Sequence, residues 1–202
     1  MPTTAPPSAQ APASLFRRMT RRPWFLAALC VPWIVLAVYY APLLVSLGWH
    51  VRHGMSVDYR GLRVRVPLGW IADLSLTKDD FPANPQGITL EKQPKSLAFE
   101  VAGPEMMYFN VLLPDADHSP EQQADQWKGL FRQSHPGSQF EIASLSGLAT
   151  GMECLEATPV GNKSAGALTC VSVTDGWVAQ YAGAQEHVPL FLEIAEGLKL
   201  KS

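Results

Sequence analysis

Apolar residues are concentrated in one unbroken segment near the start of the chain. The segment PWFLAALCVPWIVLAVYYAPLLVSLGW contains no charged residue, and Ser46 is its only strongly hydrophilic one. As a helix it is about 39 Å long at 1.5 Å per residue, which exceeds the roughly 30 Å hydrocarbon core of a bilayer. No polar face recurs at a helical period, as a surface helix of a soluble domain would require. We therefore predict a transmembrane helix over residues 23–49, with kinks at Pro32 and Pro42.

After residue 58 apolar and polar residues alternate, as they do in strands with one buried face. Leu62, Val64 and Val66 alternate with arginines before Pro67 and Gly69 turn the chain. The same kind of pattern predicts further strands in the stretches IADLSL, ITLEK, SLAFEVAG, MMYFNVLLP, FEIASLSG, LATGMECLEA, ALTCVSV and WVAQYAG. The last two stretches are joined by a tight turn at Asp175-Gly176.

Two helices complete the predicted domain. Ser119 is the N-cap of the first, with Pro120 at its first position and Gln122 placed to close a capping box. The second helix begins at about His187. Their apolar faces are Ala124, Trp127, Leu130 and Phe131 in the first helix, and Leu190, Ile194 and Leu198 in the second. Two helices against an antiparallel sheet of six to eight strands predict an α+β sandwich over residues 59–202, with a linker at 50–58.

Two cysteines lie in the region predicted as a long hairpin. If its loop is centred near Asn162, Cys154 lies directly opposite Cys170, at a Cα separation that suits a disulfide. Outside the cytoplasm such a pair is most simply a structural disulfide. Unpaired buried thiols are the alternative if the topology differs, and the absence of a C-x-x-C motif argues against a metal site or a redox pair.

The flanks of the span predict its orientation. Basic residues precede it, and tryptophans mark its two ends: Arg17, Arg18, Arg21 and Arg22, then Trp24 and Trp49. A basic flank favours the cytoplasmic side and indoles favour the interfaces. We therefore predict a single-pass protein of the cell inner (plasma) membrane, with its N-terminus in the cytoplasm and its C-terminal domain outside. A cleaved signal peptide is the competing interpretation, but the apolar segment is longer than is usual for one.

Charge and composition narrow the classes of partner. The chain has 202 residues, 47% of them hydrophobic and 17% charged, which is typical of a folded protein. Of its 16 Lys and Arg, four lie before the span, and the remaining 12 share residues 50–202 with all 18 Asp and Glu. Since that domain is acidic, we expect no nucleic-acid partner. Residues 1–22, rich in Ala, Pro, Ser and Thr at their start, are predicted to be a disordered cytoplasmic tail.

No motif for catalysis or cofactor binding emerges from the sequence. G-x-S-x-G, H-E-x-x-H and glycine-rich dinucleotide loops are absent. The five histidines are scattered, and although His50 and His53 would chelate a metal if helical, no further ligand completes a set. The acidic pairs Asp79-Asp80 and Asp115-x-Asp117 are typical of solvated turns. We therefore expect no catalytic residue, no metal and no cofactor.

The order of elements resembles the PsbP-like fold, which is shared by the extrinsic photosystem subunit and the bacterial lipoprotein DcrB. The resemblance covers residues 59–200 and rests on VPLGW at the end of a strand, a middle helix, SLSGLATG, a pair of long hairpin strands, and DGWVAQYAG before a short C-terminal helix. It implies a family mostly without catalytic residues, whose members bind or stabilise larger assemblies, often at membranes. It assigns no site residue, because members of the fold use different surfaces.

Three aromatic residues could serve either of two roles. Trp70 and Trp177 each follow a glycine at a strand end, and Tyr108 lies in the run MMYF. If both faces of the sheet are covered, these residues belong to the core, but if one face is open, they form a partner surface.

Taken together, the sequence predicts a membrane-anchored, non-catalytic binding or assembly module of the cell envelope. Its expected partners are the lipid bilayer and a protein at or near the membrane. Two alternatives are an accessory subunit whose span packs inside a multi-pass complex through Ala28, Pro32 and Pro42, and an extracytoplasmic enzyme of unrecognised type.

Overall fold

A computed structural model describes residues 23–73, 87–94, 105–112, 118–146 and 148–200. The chain begins there with one long helix, α1 (Pro23–His53), and continues into an α+β domain. The other helices are α2 (Pro120–Ser134) and α3 (Val188–Glu196), the latter preceded by a short 3-10 turn at Gln185–His187. The strands are β1 (Ser56–Tyr59), β2 (Leu62–Arg65), β3 (Trp70–Asp73), β4 (Ile88–Lys92), β5 (Met106–Val111), β6 (Phe140–Ser144), β7 (Met152–Pro159), β8 (Ala165–Ser172) and β9 (Trp177–Ala184).

Within the described residues, seven strands form one antiparallel sheet in the order β3-β4-β5-β9-β8-β7-β6, and β1 and β2 form a separate hairpin. The predicted α+β class and antiparallel sheet are therefore confirmed. Of the predicted strands, SLAFEVAG lies outside the described residues.

The first long hairpin has the predicted register, and the second turns at residues 173–176, which include the predicted Asp175-Gly176 pair. Cys154 pairs with Cys170, which centres the first hairpin on Asn162, and Ser172 pairs with Trp177 across the second turn. Gly176 in that turn has φ 68°, a conformation that glycine adopts without a Cβ clash. The Cys154 and Cys170 sulfur atoms lie at disulfide distance, 1.97 Å apart.

One face of the sheet carries the larger core. Strand β2 contributes Leu62 and Val64, and Val66 follows it; all three are fully buried, as their alternation with arginines predicts. Helix α3 contributes Phe191 and Ile194 to the same cluster. The side chains that the sheet itself supplies to this core include Leu90, Met107, Phe109, Cys170, Ala179 and Tyr181.

Helix α2 covers part of the opposite face. Its predicted capping box is present, because the Ser119 side chain accepts from the Gln122 amide and the Gln122 side chain accepts from the Ser119 amide. The predicted apolar face is buried at Ala124, Trp127 and Phe131 but not at Leu130, which is 39% exposed. Leu130 lies at the edge of that face because the helix meets the sheet through only one stripe.

The structure differs from the prediction at the linker. Helix α1 continues to His53 and β1 begins at Ser56, so residues 50–58 are mostly regular structure. The amide of Val66 donates to the carbonyl of Met55, so the residue before β1 is bonded to the residue after β2. Helix α1 therefore joins the domain through a connection of two residues, which leaves little freedom between them.

Replacing Cys154 and Cys170 together by alanine should lower the free energy of unfolding by about 3 kcal/mol, because a bond closing a loop of about 15 residues restricts the unfolded chain. Urea unfolding of the full chain in detergent micelles, followed by tryptophan fluorescence, measures the change. A reductant should destabilise the wild-type protein and leave the double variant unaffected. An equal response of both proteins to the reductant would contradict a disulfide at this pair.

Candidate functional site

An apolar cleft lies between α2 and the sheet. Its volume is about 410 Å³, within the range of small-molecule pockets. Helix α2 and the residue after it form one wall and rim, and strands β5, β8 and β9 form the floor. The lining residues are Met106, Tyr108, Trp127, Leu130, Phe131, Gln133, Ser134, His135, Ala167, Leu168, Gln180, Tyr181 and Ala182. The cleft exists because small side chains on the floor leave a gap that the helix does not fill.

Two neighbouring rows of side chains on one face of the sheet form the floor of the cleft. Met106, Ala182 and Ala167 are paired across β5, β9 and β8, so they form one row on a single face of the sheet. Two residues further along the strands, Tyr108 and Gln180 pair in the next row of that face. The alanines of the first row leave the space, and Tyr108 and Gln180 line the cleft beside it.

Tyr108 gives the cleft a neutral phenol. Burial is the main cause that raises the pKa of Tyr108 to about 12, so its hydroxyl keeps its proton at physiological pH. The Trp127 ring on α2 lies 6.2 Å from the Tyr108 ring, centroid to centroid. Both rings line the cleft.

The polar rim of the cleft is at the C-terminal end of α2. The His135 ring packs against Phe131, with 4.4 Å between centroids, and edge-on to Phe140 at 4.8 Å. Its Nδ1 lies 2.9 Å from the Phe131 carbonyl and 3.0 Å from the Ser134 hydroxyl. A ligand in the cleft therefore meets apolar walls and one polar, aromatic rim.

Helix α1 is docked on the domain through Ser46 and His50. The amide of Gly69 donates to the Ser46 hydroxyl at 3.0 Å, and that hydroxyl donates to the Trp70 carbonyl at 3.4 Å. The His50 ring nitrogens lie 2.8 Å from the Ser46 carbonyl and 3.2 Å from the Val66 carbonyl. Both side chains are buried, so their hydrogen bonds replace those that water would make.

A second polar group joins the sheet to the turn before α3. The Glu105 carboxylate accepts from Lys92, lies 2.9 Å from His187 Nδ1, and accepts from the Tyr181 hydroxyl at 3.1 Å. The Tyr181 hydroxyl is also 2.6 Å from the Ala184 carbonyl. Glu105 and Lys92 have side chains only 11% and 14% exposed, so this is a nearly buried ion pair. Its geometry holds the 3-10 turn, and with it the start of α3, against the sheet.

The charges in this group shift two pKa values in a consistent way. Burial alone would raise the pKa of Glu105, but Lys92, the charge of His187 and the Tyr181 hydrogen bond together outweigh it and lower that pKa. Burial and then the Glu105 carboxylate raise the pKa of Tyr181. The carboxylate is thus kept charged and the phenol neutral, as a donor and acceptor pair requires.

Of the residues predicted for the membrane anchor, Trp24 lies in α1, and Arg17, Arg18, Arg21 and Arg22 lie outside the described residues with the rest of residues 1–22. Trp49 is partly buried against the main core and stacks on His53 at 4.9 Å. Among the described residues, one helix is long and apolar enough to cross a membrane.

The three aromatic residues considered for a partner surface are buried. Trp70 and Trp177 are 2% exposed and Tyr108 is 1% exposed. Of the two roles considered for them, the structure favours the core over a partner surface, because both faces of the sheet are covered there and the residues belong to buried clusters on those faces. Tyr108 keeps a role in binding only as part of the cleft wall.

Candidate metal ligands are not brought together in the part of the chain that the structure describes. No three His, Cys, Asp or Glu side chains there are grouped to hold an ion. His50 and His53 are both helical, but each points a ring nitrogen at a backbone carbonyl. The acidic pairs Asp79-Asp80 and Asp115-x-Asp117 lie outside the described residues.

Two features of the site were not anticipated from the sequence. The contact of α1 with the domain had a signal in the sequence, since Ser46 is the only strongly hydrophilic residue of the predicted span and His50 follows it by one helical turn. The cleft had no such signal, because it depends on which small residues of three strands share a row beneath α2.

No family model matches the chain, and no curated protein matches it either.

Replacing Ser46 by alanine should loosen the docked helix, because the Gly69 amide loses its acceptor. We expect a loss of about 1 kcal/mol in the free energy of local opening, typical of one buried hydrogen bond. Hydrogen exchange of the full chain in nanodiscs should then be faster at Gly69 and Trp70. Val45→Ala, at an exposed neighbour on the same helix, is the control and should not change it. Equal exchange in wild type and Ser46→Ala would refute the docking role.

Replacing Glu105 by glutamine should destabilise the domain near neutral pH by about 1–3 kcal/mol, since Lys92 is left without its counter-charge. The lowered pKa of Glu105 sets the pH dependence. Its stabilisation is present above the ordinary carboxyl pKa and is lost as the pH falls through the folded-state value. Urea unfolding at a series of pH values should show wild type and variant converging in acid. Glu141→Gln, at an exposed position on β6, is the control; a difference that persists in acid would contradict the assignment.

Proposed function

We propose that this protein is a single-pass, membrane-anchored, non-catalytic binding module whose domain lies outside the cytoplasm and binds a single-chain amphiphile such as a fatty acid. The observation that carries the proposal is the cleft between α2 and the sheet, in a domain docked directly on an apolar helix. An apolar ligand site and a membrane anchor in one chain favour a ligand that the membrane itself supplies.

The exposed surface of α1 supports the anchor. Apolar side chains project from it without partners, among them Val31, Trp33 and Ile34 at 54%, 68% and 60% exposure. A continuous apolar surface of this size is unfavourable in water and suits a hydrocarbon environment.

The lining of the cleft supports an amphiphile. Its walls are Met, Leu, Phe, Trp and Ala side chains, which suit an acyl chain, and its rim has Gln133, Ser134 and His135, which suit a polar head. The cleft also lies at the end of the sheet where α1 docks. A single row runs from Ile71, next to Trp70, through Glu91 and Met106 to Ala182 and Ala167.

Orientation follows from residues outside the helix. Arginines before the span favour a cytoplasmic N-terminus, and a cysteine pair at disulfide distance suits an oxidising compartment beyond the inner membrane. The arginines before the helix and the cysteine pair in the domain both favour a domain outside the cytoplasm.

The non-catalytic part of the proposal rests on the polar group around Glu105. Such a carboxylate and histidine pair is chemically able to move a proton. Here, however, Lys92 and Tyr181 also hold the carboxylate, so its charge serves the packing of the turn before α3. The resemblance to PsbP-like domains supports a binding role as well. An accessory subunit that packs through its span is the alternative.

Photolabelling of the full chain in nanodiscs tests the amphiphile site. A palmitic acid analogue with a diazirine on its chain should label two regions, the span and the α2 peptide that carries Trp127 and Phe131. Ala182→Phe should reduce the α2 labelling at least about tenfold, equivalent to about 1.4 kcal/mol, because the new ring occupies the floor of the cleft. Labelling of the span should not change.

Ala143→Phe is the matched control, since it adds the same ring to an exposed alanine of the edge strand β6. It should leave both labelled peptides as in wild type. The amphiphile assignment is overturned if α2 is not labelled, or is labelled equally in the Ala182→Phe variant. Labelling of the span without α2 would leave the anchor in place and direct the search to a protein partner.

A further inference from the structure

The turn between β2 and β3 is attached to the anchor helix. Gly69 has φ 86°, which turns the chain so that its amide meets the Ser46 hydroxyl. Leu68, the residue before it, is 62% exposed and contributes no side chain to the described core. The position of this apolar side chain along the membrane normal is therefore fixed by the position of Ser46.

Helix geometry places Ser46 near the membrane surface. About 20 helical residues cross the hydrocarbon core, so a span that begins at Pro23 reaches the core boundary at about Pro42. Ser46 lies four residues further, about 6 Å along the axis, which is within the polar headgroup layer. Any tilt of the helix draws Ser46 deeper.

Apolar and basic side chains continue beyond Ser46, where the helix ends at the domain; Val51 lies five residues, about 7.5 Å, further along the axis. Val51 and Met55 are 89% and 46% exposed, and Arg52 is exposed in the last turn of α1. Arg52 is the basic side chain that counts here, because Arg65 is paired with Glu193 of α3 at 3.1 Å and Arg60 lies at the far turn of the β1–β2 hairpin. Apolar side chains next to an arginine are what a membrane interface with anionic headgroups favours.

We propose that the β2–β3 turn is a second membrane contact, in which Leu68 enters the boundary between headgroups and acyl chains of the bilayer that α1 crosses. The proposal rests on the membrane anchoring proposed above. Two attachments, one helix and one turn locked to it by Ser46, hold the domain at a fixed orientation on the membrane. The contact also places Trp70, and with it one end of the sheet, next to the lipid surface.

Spin labelling of the full chain measures the depth of this turn. Leu68→Cys in a Cys30→Ala background carries one nitroxide, because the remaining cysteines are bonded to each other. In phosphatidylcholine vesicles containing phosphatidylglycerol, the label should be accessible to lipid-soluble oxygen and protected from a water-soluble nickel chelate. We expect its ratio of oxygen to nickel accessibility to be several-fold higher than that of Thr174→Cys in the same background. Thr174 is an exposed residue of the β8–β9 turn, at the opposite end of the strands from Trp70.

The native Cys30 supplies the reference that separates the two proposals. It is exposed on α1, so its label should report the hydrocarbon core if the helix spans the bilayer. A lipid-exposed Cys30 with Leu68 as accessible to nickel as Thr174 would overturn the second contact and leave the anchor intact. A Cys30 label accessible to nickel would instead overturn the anchor on which both proposals depend.

Discussion

The hydrogen bonds between Ser46 of α1 and the Gly69–Trp70 segment connect the two unlike parts of this protein. Helix α1 passes from a stretch of exposed apolar side chains to a domain in which every buried polar group must be hydrogen-bonded. Ser46 and His50 lie at that change, one helical turn apart, and both are polar, buried and bonded to carbonyl or amide groups. Because α1 is docked in this way, the domain has a defined orientation relative to the helix axis.

The unequal cover of the two sheet faces explains the cleft. Helix α2 packs mainly against β8, one of the seven strands, and so covers only part of its face of the sheet. On the opposite face α3 and β2 fill the core with large side chains, including Phe191 and Leu62. On the α2 face alanines at positions 167 and 182 lie where a larger residue would close the gap.

Two polar features of the domain have different physical roles. The group around Glu105 is compact and charged, and its partners hold the carboxylate on several sides, so it stabilises the packing of α3 rather than presenting a free group. At the rim, His135 contacts uncharged groups, the Phe131 carbonyl and the Ser134 hydroxyl, and lines the apolar cleft. A buried ion pair must be satisfied by protein, whereas a rim group remains able to meet a ligand.

The sequence by itself determined the apolar helix, the capped helix at Ser119, the alternation of β2 and the centre of the hairpin at Asn162. Each of these depends on residues close together in the chain, where helical or strand periodicity and turn chemistry act directly. Tertiary structure alone decided the burial of Trp70, Tyr108 and Trp177, the regular structure of residues 50–58, and the cleft. These depend on pairing between distant strands, such as Met106 with Ala182, and on which strands α2 packs against, which no local pattern encodes.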